Sequence, residues 1–435
     1  MPIAQVRKHI TQKYPQVIPW VIWMFAVVFY LYQMILRISS SVLADDWITS
    51  FHISTTELGL LSGAYYYSYG ALQIPAGIAM DRWGPRSTLT MASLICALGC
   101  VIMATASSYG MAFGGRFIVG VGASCGFLGC LKIASLWFPH SQIGLVAGLT
   151  TSLGMIGGII GNVPFAALNA LHTWRAIQWA LGLMGVFIAL TIWMGIRNHH
   201  PGKSTHVRES AEGAPLIPAN ETIRDSLGKI IQQPQSWIMA LFGFCMYTPL
   251  AAFTDLWGIS FFKATLGISE KDASSLNSLT FLGLMIGGPL FAIYADYVQS
   301  HRHAMRTSAL LFSLMFGLLI FSPWFPTLVV ASLCLLFGVS FGGEVIAFVG
   351  IANTMPRKIS GLCSGFTNTI VVLSGVLFQP FVGWLLGVFS SGQSPDRTAY
   401  ILAFLPAWVC TCCAIVLTFF MIETHPNKRK PHTSP

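Results

Sequence analysis

Residues 65–89 read YYYSYGALQIPAGIAMDRWGPRSTL, an apolar, glycine-rich segment that enters a charged turn and then continues into a second apolar segment. We call the turn at residues 81–86, DRWGPR, the clasp. It is too short to leave the surface of a membrane, and each flanking segment is apolar enough to enter one. The sequence therefore predicts two antiparallel membrane helices that are neighbours in space.

The composition of the whole chain is typical of a membrane protein. Of its 435 residues, 54% are hydrophobic and only 9% are charged, whereas a soluble protein has roughly a quarter of its residues charged. A spanning helix needs about 20 apolar residues. Twelve such runs are found, at residues 18–43, 57–80, 87–107, 110–137, 142–168, 175–196, 236–262, 273–296, 304–323, 326–354, 360–389 and 398–422. We expect an all-α protein, with the first run kept as a helix because it is too long for a signal peptide.

The net charge of +9 is distributed unevenly between the two sides of the predicted bundle. With the N-terminus inside, seventeen Lys and Arg residues fall in cytoplasmic segments. Four fall on the opposite side: Arg175, Lys263, Lys271 and Arg397. This is the asymmetry of the positive-inside rule. We therefore expect both termini to be cytoplasmic and the basic residues to set topology, with no nucleic acid as partner.

The second half of the sequence repeats the first at a nearly constant spacing. Three positions before and within the clasp region recur 215 residues later: Ser54, Glu57 and Asp81 recur as Ser269, Asp272 and Asp296. Repeats of this kind predict two six-helix halves with a site between them. The expected boundaries are a tail at 1–16, a first half at 17–196, a cytoplasmic loop at 197–235, a second half at 236–422 and a tail at 423–435. A surface helix is predicted near residues 222–233.

The clasp resembles the loop between helices two and three of the major facilitator superfamily, whose pattern reads roughly G-x-x-x-D-R-x-G-R-R-x-x-L. Matching positions are Gly77, Asp81, Arg82, Gly84, Arg86 and Leu89, while Pro85 stands where the family usually has a basic residue. The resemblance implies a twelve-helix transporter fold that works by alternating access. We interpret the clasp as a gate between its states. Asp296 is the equivalent residue of the second half, but Tyr297-Val298-Gln299 follow it, so the second clasp is expected to be built differently.

Ionisable side chains inside the membrane are costly and indicate function by default. Five are predicted at depth, on the first, fourth, fourth, seventh and tenth runs: Arg37, Arg116, Lys132, Asp255 and Glu344. In the superfamily that the chain resembles, helices 1, 4, 7 and 10 line the central cavity. The resemblance therefore implies that these five residues lie on the helices that line the cavity.

Each of these residues has a functional and a structural interpretation. Arg37 could bind a carboxylate or phosphate through paired hydrogen bonds, or could pair with Asp255, which the repeat spacing puts at the same level. Asp255 could carry a proton or form a gate ion pair. Glu344 could carry a proton or bind substrate, because burial without a basic partner disfavours the charged form, or could donate a structural hydrogen bond.

The remaining two cations lie on the fourth run. Lys132 could contact the substrate or extend to the membrane surface. Arg116 matches the superfamily's R-x-x-x-G-x-G pattern in G-R-F-I-V-G-V-G, and the resemblance implies either coupling or a structural role. Three cations against two carboxylates favour an organic anion or zwitterion as substrate, such as a carboxylate, an amino acid or an organophosphate.

Other functions are weighed against the same residues. No Walker A pattern occurs, so an ion gradient or the solute's own gradient would drive transport, and protons are the expected coupling ion. A membrane enzyme is disfavoured because no intramembrane His and no paired carboxylates on one helix are found. A sensor that has kept the transporter fold usually carries a large soluble signalling domain, and none is evident. The ten cysteines fall in predicted helices without metal-ligand spacing, so we expect neither metal nor cofactor.

The subfamily is indicated by two further stretches. Residues 65–86 and the LKIASLWFP stretch at 131–139 look like bacterial solute permeases of the anion:cation symporter type. Drug exporters usually show G-P-x-x-G-G on helix 5, where this chain reads GMIGG at 154–158. Efflux of a drug or transport of a siderophore remains the alternative. We expect a monomer in a bacterial inner membrane, with a small solute, protons and lipid as partners.

Overall fold

The computed structural model describes residues 17–139, 142–198, 223–321, 325–355, 360–390 and 394–425. These ranges consist of helices joined by short turns and contain no strand. The tails at 1–16 and 426–435 and the loop residues 199–222 lie outside the described ranges. The predicted surface helix is present as Ile223–Gln232, immediately before the seventh crossing.

Eleven described helical stretches are long and apolar enough to span a membrane. One of them, Gln73–Thr105, is broken at Gly84 and so contributes to two crossings. Twelve crossings result, and α2 and α3 meet at Gly84. They are α1 Ile18–Val42; α2 Thr55–Ala71 with the first part of Gln73–Thr105; α3 its second part; α4 Tyr109–Ala123 and Gly126–Trp137; α5 Ile143–Ile160 and Val163–Asn169; α6 Trp174–Gly195; α7 Pro234–Pro249, Leu250–Trp257 and Gly258–Leu266; α8 Glu270–Val298; α9 His301–Ile320; α10 Thr327–Ser340, Phe341–Gly343 and Glu344–Thr354; α11 Ser360–Ser390; α12 Arg397–Phe420.

The sharp turn of the clasp depends on Gly84. Its backbone has φ 79° and ψ 161°, a conformation that residues with a side chain rarely adopt. A Cβ at this position would also lie 2.5 Å from the Asn198 side chain. The glycine of the sequence pattern is therefore required by both the backbone and its neighbour.

The repeat in the sequence is visible in how two equivalent helices begin. Ser54 caps α2 by accepting a hydrogen bond from the Glu57 backbone N–H, and the Glu57 carboxylate accepts one from the Ser54 backbone. Ser269 caps α8 by accepting from the Asp272 backbone N–H at 3.2 Å. These serine caps satisfy N–H groups that a helix leaves unpaired at its start. The repeated Ser-x-x-acid spacing thus marks the same structural position in both halves.

Glycines allow α5 to lie against both halves. A Cβ at Gly157 would lie 2.7 Å from the Leu31 carbonyl oxygen on α1, and one at Gly158 would lie 2.4 Å from the Phe281 ring on α8. Without side chains, helices in lipid can approach closely enough for van der Waals packing to hold them together. The glycine-spaced fifth run therefore serves the contact between the halves.

Polar contacts close one end of the bundle. We call the end with Gly84 the basic end and the opposite end the far end. At the far end the Thr55 hydroxyl donates to the Gly383 carbonyl at 2.7 Å, and Lys263 Nζ lies 2.7 Å from Asp45 Oδ2. Each contact joins the first half to the second. The far end is therefore closed in this structure.

Replacing Gly59 by valine is expected to disrupt the far-end contact between α2 and α11. A Cβ at Gly59 would lie 2.5 Å from the Gln379 carbonyl oxygen and 2.6 Å from Pro380 Cα, and neither backbone atom can move easily. Overpacking of this kind costs about 1–3 kcal/mol. Thermal unfolding of the purified variant should show a lower midpoint than the wild type.

Gly63→Ala is the matched control for this prediction. Gly63 lies one turn along the same helix, and its Cβ would meet Tyr67 and Pro380 only at 3.7–3.9 Å. Alanine therefore fits there in ordinary contact, and the unfolding midpoint should stay near that of the wild type. Equal midpoints for Gly59→Val and Gly63→Ala would show that the α2–α11 contact does not depend on Gly59.

Candidate functional site

Arg37 and Asp255 form an ion pair between the two halves. Arg37 Nε on α1 lies 3.3 Å from Asp255 Oδ2 on α7, and their side chains are 16% and 2% exposed. Pairing with Asp255 is one of the two interpretations of Arg37 made from the sequence. The terminal nitrogens of Arg37 donate to no residue in the described ranges. The guanidinium therefore keeps donors for another ligand.

Asp255 lies in a stretch of α7 that departs from α-helical geometry. The segment Leu250–Trp257 is a π-helix and follows directly on Pro249. Proline lacks a backbone N–H and so interrupts the ladder of hydrogen bonds. Short π-helical segments are frequent at functional sites. Here the segment carries the carboxylate that faces α1.

Two tyrosines extend this ion pair into a cluster. The Tyr66 hydroxyl on α2 donates to Asp255 Oδ2, and the Tyr247 hydroxyl lies 3.4 Å from the Tyr66 hydroxyl. Asp255 Oδ1 is buried and accepts no hydrogen bond from the described residues. Buried polar atoms without partners are rare and call for an explanation. The cluster therefore has both a spare acceptor on Asp255 and spare donors on Arg37.

Tyr66 was not distinguishable in the sequence. It is one of four tyrosines at residues 65–69, and their spacing indicates only that at most one or two of them can face a cavity. Tyr65 and Tyr69 do stack on each other, with ring centroids 5.6 Å apart. Only the packing of α2 against α7 shows that the Tyr66 hydroxyl reaches a carboxylate, and no pattern in the sequence carried that signal.

Glu344 begins the last segment of α10, directly after the 3₁₀ turn Phe341–Gly343. The glycines before it allow close packing, since a Cβ at Gly342 would lie 2.1 Å from the Gly287 carbonyl oxygen on α8. The Glu344 residue is 6% exposed, and no described residue forms a hydrogen bond or ion pair with it. It is therefore a buried carboxylate with capacity for a proton or a ligand.

Glu344 on α10 lies against α7, the helix that carries Asp255. Glu344 Oε1 would lie 3.7 Å from a Cβ placed on Gly243 of α7. Tyr247 is one turn farther along α7, and its ring centroid lies 6.3 Å from that of Phe341. Gly243 and Asp255 are twelve residues apart in the sequence, so the two carboxylates lie at different levels along α7. Tyr247 thus stands between the two carboxylates.

Arg116 is occupied by contacts with α1 and its surroundings. Its Nη1 donates to the Leu36 carbonyl at 2.8 Å and its Nη2 donates to the Ser40 hydroxyl. The guanidinium also lies over the rings of Trp47 and Tyr65. Because Leu36 directly precedes Arg37, these contacts fix the stretch of α1 that carries Arg37. The geometry favours a positioning role for Arg116.

Lys132 lies at the clasp. Its Nζ is 2.8 Å from Asp81 Oδ1, and the two side chains are 19% and 39% exposed. The structure therefore gives Lys132 a partner that neither sequence interpretation named. Within the clasp, Arg82 is exposed. Gly77, which belongs to the sequence pattern, lies on α2 one turn before Asp81.

The start of α3 is held by the end of α6. The Arg86 backbone N–H donates to Asn198 Oδ1 at 3.0 Å, and Arg86 Nε donates to the Trp193 carbonyl at 2.9 Å. The Arg86 guanidinium also stacks over the Trp193 ring at 4.1 Å. These contacts tie the clasp to the end of α6, the last helix of the first half.

The second clasp uses a different set of residues. Asp296 is 83% exposed and lies 3.5 Å from His425 Nε2. Glu423 accepts hydrogen bonds from the Ser300 hydroxyl and, at 2.9 Å, from the His301 backbone N–H at the start of α9. Asn198 lies three residues beyond the last residue of α6, and Glu423 lies three residues beyond the last residue of α12. Sequence reasoning missed both, because neither belongs to a motif.

Lys132→Gln and Asp81→Asn are expected to change transport to the same extent, and the double variant is expected to be no worse than either. Both single variants break one ion pair, which at this exposure contributes about 0.2–1 kcal/mol. The measurement is initial uptake rate against solute concentration for the three variants. A rise in KM for Lys132→Gln that Asp81→Asn does not share would show instead that Lys132 contacts the solute.

Comparisons with known proteins identify the family. The family model for the Major Facilitator Superfamily matches residues 22–378. The chain is 24% identical to the probable sulfoacetate transporter SauU of Cupriavidus necator, over 80% of this chain and 83% of that protein. It is 23% identical to the probable galactarate/D-glucarate transporter GarP of Escherichia coli, over 82% and 85%.

A solved structure shares the fold. It is a bacterial homologue of the human lysosomal transporter Spinster in an inward-facing, occupied conformation, with a TM-score of 0.72, 16% identity and coverage of 93% of this chain and 97% of that one. The match of the family model across most of the chain, together with two halves that meet at an intramembrane ion pair, shows that this protein belongs to the Major Facilitator Superfamily of membrane transporters.

Proposed function

We propose that the protein imports a small organic anion together with protons. The observation that carries this proposal is Arg37, whose terminal nitrogens have no partner in the described ranges while its Nε pairs with Asp255. A guanidinium offers two parallel donors to a carboxylate, sulfonate or phosphate, and such bonds are the strongest hydrogen bonds in proteins. Arg37 is the residue that binds the anion.

Asp255 couples the bound anion to a proton. An anion on the terminal nitrogens of Arg37 brings a second negative charge close to Asp255 and competes for the same guanidinium. Like charges disfavour the charged form of a carboxylate, so anion binding favours a protonated Asp255. Binding of solute and uptake of a proton then support each other, as linkage requires.

Glu344 is the second proton carrier. It is buried, has no partner in the described part of the chain and lies on α10 against Gly243 of α7, the helix that carries Asp255. Once protonated, both carboxylates are neutral, and a site with fewer uncompensated charges crosses between the two states of the transporter at lower electrostatic cost.

The relatives support an anionic solute. Sulfoacetate, galactarate and D-glucarate, which are named for SauU and GarP, all carry two acidic groups. A solute with two negative charges would suit the site we propose, with one acid group on Arg37. The distribution of Lys and Arg supports a cytoplasmic basic end in a bacterial inner membrane. With the far end closed, the structure then corresponds to an inward-facing state.

The proposal is tested with purified protein in proteoliposomes that enclose a pH-sensitive dye. Pools of organic dianions, monocarboxylates, amino acids and nucleosides are added outside. Acidification of the interior with a dianion pool is the expected result. Solute uptake without acidification would mean a uniporter or another ion. Acidification only with outward solute gradients would indicate efflux, and binding without flux would indicate a sensor.

A further inference from the structure

A cavity outside the interface between the halves opens at the basic end of the second half. It has a volume of about 530 Å³ and lies between the start of α9 and the end of α12. Its lining residues are Ser300, Arg302, His303, Arg306 and Glu423. Volumes of this size accommodate small ligands or headgroups. Neither arginine has a role in the transport cycle proposed above.

Both arginines are held in place by α12 and keep unused donors. Arg302 donates through Nε to the Thr418 carbonyl at 3.1 Å and through Nη2 to the Phe419 carbonyl at 2.8 Å. Arg306 donates through Nε to the Thr418 hydroxyl at 3.2 Å and stacks over the Phe419 ring at 4.1 Å. The other nitrogens of the two guanidiniums donate to no described residue. Since each guanidinium has five N–H groups, the cavity has several donors that are already oriented.

Exposed apolar side chains continue from this cavity toward the middle of the membrane. Leu310 and Leu314 follow Arg306 at one-turn intervals on α9 and are 49% and 54% exposed. On α12, Phe419 and Val416 are each 56% exposed. A charged cavity at the end of two membrane helices is thus continuous with an apolar surface along them.

Glu423 adds a negative charge to the cavity, but its oxygens are already occupied. They accept hydrogen bonds from the Ser300 hydroxyl and from three backbone N–H groups, those of His301, Thr424 and His425. Partial burial raises the pKa of the Glu423 carboxyl, and these hydrogen bonds outweigh it and lower the pKa below its usual value. Glu423 is therefore a charged cap of α9, with its charge offset by four donors.

We propose that this cavity binds the phosphate of an anionic phospholipid, with Arg302 and Arg306 as donors and the acyl chains along α9 and α12. The positive charges of Arg302 and Arg306 favour a phosphate as the bound group. Basic residues at the membrane surface attract anionic lipids. A lipid is favoured over a soluble phosphate because the apolar surface continues directly from the charged one. The lipid would tie α9 to α12 at the basic end.

The equivalent place in the first half lacks one of the two cations. The Arg86 side chain makes in the first half the contact that the Arg302 side chain makes in the second, since each donates through Nε to a carbonyl near the end of the last helix of its half. One turn later the first half has Thr90, whose hydroxyl donates to the Arg86 carbonyl at 2.8 Å. Among the described helices, α9 has two arginines one turn apart, Arg302 and Arg306, whereas α3 has Arg86 alone in its first two turns. We therefore expect one such lipid per chain.

The test is native mass spectrometry of the full-length protein, titrated with phosphatidylglycerol or phosphatidylcholine. The wild type should hold one phosphatidylglycerol about tenfold more tightly than phosphatidylcholine. Arg302→Gln/Arg306→Gln should lose that preference. If the double variant does not fold, Arg306→Gln alone serves, because its Nε bond is to a side-chain hydroxyl, and the preference should fall partway.

Arg175→Gln is the matched control. Arg175 also stacks over an aromatic ring, that of Trp174 at 4.3 Å, and donates to a backbone carbonyl, but it lies at the far end. It should keep the wild-type preference. An unchanged preference in the arginine variants, or none in the wild type, overturns the proposal. Displacement of the lipid by equimolar sn-glycerol 3-phosphate would identify a soluble phosphate as the occupant and likewise overturn it, whereas no displacement supports the lipid.

Discussion

Arg37→Gln is expected to abolish uptake of the organic anion, and Arg37→Gln/Asp255→Asn is expected to restore folding without restoring uptake. The single variant leaves Asp255 buried without its cation, and removing one member of a buried pair costs about 3–5 kcal/mol. The double variant replaces both charges by amides, which relieves that cost. Neither variant offers an anion the positive charge and the two parallel donors of a guanidinium, and hydrogen bonds to charged groups are each worth about 1.5–3 kcal/mol.

Two measurements separate stability from function in these variants. Thermal unfolding should show a large loss for Arg37→Gln and recovery in the double variant. Initial uptake rates in proteoliposomes should fall to background, about a hundredfold below the wild type, for both. Arg175→Gln removes one positive charge at the far end and should leave uptake nearly unchanged. Recovery of uptake in the double variant would show that the ion pair only holds the halves together.

Glu344→Gln is expected to lower accumulation of solute against its gradient, because only Asp255 then carries a proton. Glutamine has nearly the size of a protonated glutamate but cannot bind or release a proton. The variant should therefore still exchange labelled for unlabelled solute, within about twofold of the wild type, because exchange needs no net proton movement. The measurements are steady-state accumulation with an imposed pH gradient and counterflow without one.

Glu57→Gln is the control for Glu344→Gln. Glu57 lies at the start of α2, where its carboxylate accepts from the Ser54 backbone N–H at 2.8 Å, and glutamine can fill the same position of a capping box. Accumulation should stay at the wild-type level. If acidification survives in Glu344→Gln and disappears in Asp255→Asn, the proton carrier is on α7. If it survives in both, neither carboxylate is essential for coupling.

The fold was predictable because its signals are local. Apolar runs of sufficient length have to form helices in lipid, where every backbone polar group needs an internal partner. Gly84, the serine caps Ser54 and Ser269, and the glycines of α5 each act within a few residues of their own position or at one close contact. The family followed from the clasp, which combines several of these local requirements in one stretch.

Part of the site was also accessible from the sequence. The repeat spacing put Asp255 at the depth of Arg37, and the two do form an ion pair. Depth along a helix follows directly from residue number, at 1.5 Å per residue. The ranking of intramembrane charges as functional candidates rests on the cost of burying them, which is also independent of the detailed packing. Their roles in binding and coupling stay predictions.

The sequence by itself thus determined the crossings, the two halves and the depth of each charged residue, because these depend on local composition and on residue spacing. Only the tertiary structure decided which side chains meet: Lys132 with Asp81, Tyr66 with Asp255, and Asn198 and Glu423 with the starts of α3 and α9. The direction in which a side chain points around its helix depends on how that helix rotates and tilts against its neighbours. That rotation is set by packing among residues far apart in the chain, and no single run of the sequence encodes it.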